Sequence, residues 1–258
     1  MILKNNSNTI IQAGVLTSSE TRTSLLYGLV DAYNFDTNAN TATSTANHGT
    51  ITGATQVAGK IGNAYSFAGT NRITIGNSVS SYDFLHQTAY YSVSLWVKLD
   101  QYNLNTNGII MSNNGTTTVN SGFSLHYENR STGISAYPYR TFRVNLCKGI
   151  HTKPVYFFNG PMYLVNDANW HHLVIVSYGL SNVYLYFDGV QHTVALQDVN
   201  GVGTDPASGV MTVGNLDTSP TIPLNGAIDN LLIYNRPLSQ SEVSALYNGG
   251  AGIQYPFV

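Results

Sequence analysis

Apolar and polar residues alternate most cleanly between Ser92 and Leu99. There Val93, Leu95, Val97 and Leu99 fall on one side of an extended chain and Ser94, Trp96 and Lys98 on the other. The Val/Leu side is assigned to a core, which leaves Trp96 on an outer, concave face or under a loop. The same period of two recurs at residues 108–112 and 123–127, separated by the turn residues Asn113-Asn114-Gly115. It recurs again at 173–176 and 183–187, at 210–214 and at 227–234. Residues 25–35 read as a first strand with Leu29, Ala32 and Phe35 facing inward, followed by a small-residue loop to Asn47. Between His48 and Gly76 two short strands, 50–52 and 72–75, are separated by Gly53, Gly59 and Gly62, where the backbone can turn at low steric cost. A helix is predicted only at the end of the chain. Ser239 and Glu242 have the spacing of a capping box, Leu238 and Val243 fit a hydrophobic staple around it, and Gly249 or Gly250 ends it.

Three stretches carry wording beyond periodicity. The first runs from His48 through Gly59-Lys60-Ile61-Gly62-Asn63-Ala64 to Ser66-Phe67 and Gly69. The second is Asn169-Trp170-His171-His172 followed by Leu185-Tyr186-Phe187-Asp188-Gly189. The third is Asn225-Gly226-Ala227-Ile228-Asp229 with Tyr234-Asn235-Arg236-Pro237-Leu238-Ser239. In this order they resemble the laminin-G-like branch of the concanavalin A-like lectin/glucanase superfamily. The resemblance implies an all-β, two-sheet antiparallel jelly-roll sandwich over residues 25–258, closed by one short C-terminal helix. It leaves activity open, because such folds host lectins, hydrolases and inert spacers.

Composition narrows the setting. Charged residues are 9% of the chain against about 25% in an average soluble protein, and the net charge is −2, which argues against nucleic acid or an anionic membrane as partner. Solubility falls to Asn, Thr, Ser, Gly and the hydroxyls of 18 tyrosines. Cys147 is the only cysteine, so no intrachain disulfide forms. Met1-Ile2-Leu3-Lys4 leads into Asn5-Asn6-Ser7-Asn8 without the apolar core of a signal peptide. The expectation is a protein made in the cytoplasm and exported by another route, such as assembly into a phage particle, with the virion surface as its place; the alternative is a bacterial cell surface or secretion without a signal peptide. Residues 1–24 lie outside the resemblance and are expected as an extended arm. Ile10, Ile11, Val15 and Leu16 make that arm more apolar than a solvated tail needs and suit it to dock on a neighbouring virion subunit; the alternative is a loose terminus.

Candidate chemistry is sparse. Hydrolysis of a glycosidic bond needs two carboxylates about 5–10 Å apart. The three glutamates are Glu20 in the arm, Glu128 alone and Glu242 as a helix cap, and no strand carries two acids in phase, so a non-enzymatic protein is expected; the alternative is a glycoside hydrolase that pairs aspartates from separate strands. Adjacent His171 and His172 resemble a metal pair but point to opposite faces of a strand, so zinc is not expected there. The resemblance implies one structural calcium held by Asp229 with Asp36 and Asn71; the alternative is that Asp229 binds loop amides, since no dense acidic loop is present. The non-enzymatic expectation is glycan binding, with Trp96, Tyr184 and Tyr186 stacking on sugar faces and Tyr137 and Tyr139 walling a groove. The alternative buries these aromatics under loops or a neighbouring copy.

Overall fold

The computed structural model describes residues 3–4, 10–11, 18–100, 106–114, 122–129, 140–147, 155–158, 167–198, 207, 209–218 and 220–257. Two-residue strands β1 (Leu3–Lys4) and β2 (Ile10–Ile11) pair antiparallel, and helix α1 covers Ser18–Ser24. The body follows as β3 (Leu29–Tyr33), β4 (Thr50–Thr52), β5 (Thr55–Ala58), β6 (Asn63–Phe67), β7 (Arg72–Thr74) and β8 (Tyr90–Leu99). Then come β9 (Thr106–Ser112), β10 (Gly122–Asn129), β11 (Arg140–Cys147) and β12 (Val155–Phe158). The hairpin β13 (His171–Tyr178) and β14 (Val183–Phe187) leads to β15 (Val190–His192), β16 (Val194–Asp198), β17 (Thr212–Val213) and β18 (Gly226–Tyr234), and helix α2 (Gln240–Tyr247) closes the chain.

The strands form two antiparallel sheets. The first runs β15-β14-β13-β8-β18-β6-β5, and the second runs β16-β12-β11-β10-β9-β17-β7-β4. Strand β18 pairs with β8 along one edge, while its other edge is taken first by β6 and then by β3. The register shifts between Asp229 and Leu232, and Asn230 takes a left-handed φ of 47° at this bulge. The inward alternation of β8 is as the sequence reads. Val93, Leu95, Val97 and Leu99 meet Phe123, Leu125, Phe142 and Val144 of the second sheet in one apolar core.

Strand β13 is buried on both faces, because its outer residues Val174 and Val176 pack under Leu238, Val243 and Leu246. The capping box is formed: the Glu242 amide donates to Ser239 Oγ and the Ser239 amide donates 2.8 Å to Glu242 Oε2. The stop differs from expectation, for Asn248 and not a glycine takes the left-handed cap position (φ 48°). The N-terminal segment also departs from a fully extended arm. Residues 18–24 are helical, and the chain is anchored directly after them. Leu25 is fully buried in the cluster beneath α2, and Arg236 donates 2.7 Å bonds to the carbonyls of Ser24 and Tyr27. The first strand therefore begins at Leu29. The backbone of Ile10 and Ile11 lies in β2, while Val15 and Leu16 lie outside the described residues.

Candidate functional site: a tyrosine-lined cleft on the first sheet

Outward positions of β14 are Tyr184 and Tyr186, in phase with Asn182 before the strand, while Val183, Leu185 and Phe187 enter the core. On β13 the outward row Val174 and Val176 continues to Tyr178. The hairpin turn closes when the Tyr178 amide donates 2.8 Å to the Asn182 carbonyl, with Gly179 supplying a φ of 102° that a side chain would resist. On the far side, β15 brings Gln191 opposite Tyr186. These five residues, Tyr178, Asn182, Tyr184, Tyr186 and Gln191, line a cleft of about 460 Å³.

The rings of Tyr178 and Tyr184 stand edge to face at 5.9 Å and 84°, giving the cleft a floor and a wall. Tyr186 is nearly buried, and its hydroxyl donates 3.1 Å to Gln191 Oε1. Burial first, then the phenols of Tyr178 and Tyr184, push its pKa up, so it remains a neutral donor. Tyr184 and Tyr186 thus come together as the sequence suggested. Tyr178, Asn182 and Gln191 were missed there, although Tyr178 continues the phase of Val174 and Val176.

Trp96 is not part of this cleft. It faces outward as expected, but it is only 1% exposed and offers no ring face to a ligand. Its ring stacks on Tyr247 of α2 (6.0 Å, 23°) and lies 5.0 Å from the His172 ring, and Lys60 Nζ sits 4.7 Å over it. The chain after α2 passes so close that a Cβ on Gly252 would stand 3.0 Å from Trp96 Nε1. His172 beneath is held neutral, with burial lowering its pKa to about 3, and its Nε2 meets Ser94 Oγ at 2.9 Å. His171, on the opposite face, lies between Asp188 (2.8 Å) and Asp167 (3.1 Å). Tyr137 and Tyr139 lie outside the described residues.

The residues expected at a calcium do not form a cage. Asp229 is fully buried, and its Oδ2 accepts the amides of Lys60 (2.7 Å) and Ile61 (2.9 Å). Asp36 Oδ1 accepts the Asn63 amide at 3.0 Å and its Oδ2 the Gln254 side chain at 2.8 Å. Asn71 sits apart, beside Gly53. Among the described residues, Asp229 Oδ1 is the one of these four carboxylate oxygens without a donor, while the other three already accept N–H groups. Burial pushes the Asp229 pKa up to about 7 despite its amide donors, with Asp36 adding to the rise.

The outer face of the second sheet carries a polar row: Ser124, His126 and Glu128 on β10, Arg143 and Asn145 on β11. His126 and Arg143 are cross-strand partners. Glu128, 1% exposed, is ion-paired with Arg143. His126 Nε2 meets Ser124 Oγ at 2.7 Å, and Arg143 lies 3.1 Å from His126 Nδ1. A serine–histidine relay needs a carboxylate at that second ring nitrogen. Among the described residues the Arg143 guanidinium stands at that nitrogen, joined to Glu128 in a partly buried ionic network.

Residues 67–244 match the model of a family described as the concanavalin A-like lectin/glucanases superfamily. No curated protein sequence matches the chain. Domain 4 of AbnA, an extracellular arabinanase from Geobacillus stearothermophilus solved in complex with arabinotriose, is similar over 87% of this chain and 98% of that one, at 23% identity and a TM-score of 0.54. The binding domain of Paraclostridial mosquitocidal protein 1 is similar over 88% of this chain and 53% of its own, at 16% identity and a TM-score of 0.61. For the binding domain of botulinum neurotoxin DC in complex with SialylT the figures are 90%, 53%, 13% and 0.56. The chain thus spans about half the length of the two toxin domains, and at these identities the likeness is one of fold.

Proposed function

As this chain belongs to the concanavalin A-like lectin/glucanase superfamily, we propose that it is a non-enzymatic, lectin-like carbohydrate-binding domain whose sugar site is the tyrosine-lined cleft. The observation that carries the proposal is the convergence of three tyrosines and two side-chain amides on one open cleft of about 460 Å³. Flat apolar rings bind the C–H faces of a sugar, and phenol and amide groups pair with its hydroxyls. Binding of arabinotriose by a domain of the same fold supports the reading. Among the described residues no carboxylate lines the cleft, and the hydrolytic mechanism would require two. The reading extends to display on a phage particle surface, where weak sites act together by avidity and the first residues of the chain hold it to a neighbouring subunit. The sparse charge and the 18 tyrosines support that setting.

The test is a broad glycan array probed with the full chain in multivalent form. Specific binding that Tyr184→Ala and Tyr178→Ala each weaken at least tenfold is the expected result. A blank array would overturn the reading and leave a structural role, as a decoration protein on a particle, in its place.

A further inference from the structure

Beside the cleft, the exposed aromatic face continues past Tyr178. Tyr178 and Tyr90 are paired across β13 and β8, and Tyr90 shares the outward phase of Ser92, Ser94 and Trp96. Tyr90 is 54% exposed and Tyr178 45%, whereas Trp96, on the same face of β8, is covered. The Tyr90 ring lies beside the turn, where a Cβ on Gly179 would touch it in ordinary contact at 3.6 Å. Three adjacent strands therefore each present a tyrosine at this end of the sheet: Tyr184 on β14, Tyr178 on β13 and Tyr90 on β8. With neighbouring strands about 4.8 Å apart, the row is roughly 10 Å wide from strand to strand before the rings are added, more than one sugar ring covers.

The cleft beside this row is also uncharged among its described residues. Among the described residues, the side chains lining the cleft are phenols and amides, with no lysine, arginine, histidine or carboxylate. A carboxylated or sulfated sugar would lose water here without gaining a cation, which is costly, whereas hydroxyls lose nothing that phenol and amide groups do not replace.

From these two observations we infer that the ligand is a neutral oligosaccharide of several units, laid across the strands from the Gln191 side to Tyr90, with Tyr90 stacking on the unit furthest from Gln191. The inference rests on the glycan-binding reading and adds length and charge to it. The experiment measures binding of the full chain to neutral oligosaccharides of graded length and to sialylated and sulfated glycans, each at low and high NaCl. Affinity is expected to rise with length over the first few units and to hold steady with salt. Tyr90→Ala should weaken the longest neutral ligand about tenfold, the order of one stacked ring, and leave the shortest unchanged. Tyr90→Phe, which keeps the ring, should retain the length dependence. Binding confined to anionic glycans and weakened by salt would overturn the inference while leaving glycan binding intact. A Tyr90→Ala protein with unaltered length dependence would overturn it as well. No binding to any member of either series would overturn the inference together with the glycan-binding reading beneath it.

Discussion

The outer face of the first sheet divides into two halves built from the same strands. Toward one end, Trp96, His172 and Tyr247 stack on one another beneath α2 and the chain that follows it. Toward the other, Tyr178 and Tyr184 line an open cleft and Tyr90, paired with Tyr178, is exposed beside it. Both halves put aromatic side chains at outward positions, so alternation along the strands does not distinguish them. The difference is a single lid. The capped helix lies over Val174, Val176 and Leu232 and turns the residues beneath it into a second apolar cluster. An outward aromatic becomes core or stays open to solvent according to where that helix stops.

The largest effect is expected from breaking the covered half. Trp96→Ala should cost about 3–5 kcal/mol of stability, as truncation of a fully buried aromatic does, read as a fall in the urea midpoint at unchanged slope. A loss under about 1 kcal/mol would mean that α2 and Gly252 do not seal the ring in solution, and Trp96 would return as a sugar platform.

Acid should loosen the same lid next. Arg236 binds both Glu242 oxygens (2.7 and 2.9 Å) and the Ser24 and Tyr27 carbonyls, and so ties the N-terminal helix to α2. Among the influences on Glu242, burial alone raises its pKa; the Arg236 pair and the Ser239 amide outweigh it and take the value from 4.5 to about 2. A depressed carboxylate contributes stability above its unfolded pKa and loses it as pH falls through the folded value. On the order of 3 kcal/mol should therefore disappear between about pH 4.5 and pH 2, and Glu242→Gln should be insensitive to that interval. Asp229 runs the other way. With its pKa raised to about 7, it stabilises the fold below its unfolded value and loses that contribution as pH rises through 7. Asp229→Asn should accordingly gain on the natural protein in urea midpoint between pH 5 and pH 8. A constant difference across that range would show that Asp229 stays ionised when buried.

The open half should respond in binding and hardly in stability. Tyr184→Ala is expected to weaken glycan binding at least tenfold, about 1.4 kcal/mol, while moving the urea midpoint little, because Tyr184 is only half-buried. Equal losses of binding and stability would merge the two halves into one structural layer and remove the reason to call the cleft a site.

The core was legible because its signal is local. Alternation in residues 92–99 and the spacing of Ser239 and Glu242 each follow from chemistry within a few residues. The covering of Trp96 was not legible, because Tyr247 and Gly252 are some 150 positions away in sequence and reach it only through the packing of α2. Tyr178 and Gln191 were overlooked for a related reason. Each belongs to a different strand, and only the cross-strand registers Tyr178 with Tyr90 and Tyr186 with Gln191 bring them to one surface. Family wording could not supply them, since it marks residues that build the hairpin rather than those that decorate its end.

The smallest expected effect concerns calcium, and it bears on the covered half through Asp229. An ion that binds only the folded chain raises its stability with concentration. Three of the four oxygens of Asp36 and Asp229 already accept N–H donors, so calcium added at pH 7, or its removal with EDTA, should move the melting temperature by less than about 1 °C. A rise of several degrees would require Gln254 and the loop amides to release these oxygens. It would also hold Asp229 ionised, so the stability lost between pH 5 and pH 8 should then vanish when calcium is present. The two measurements check each other: an amide-bound, partly protonated Asp229 gives a pH slope and no calcium response, and a calcium-bound Asp229 gives the reverse.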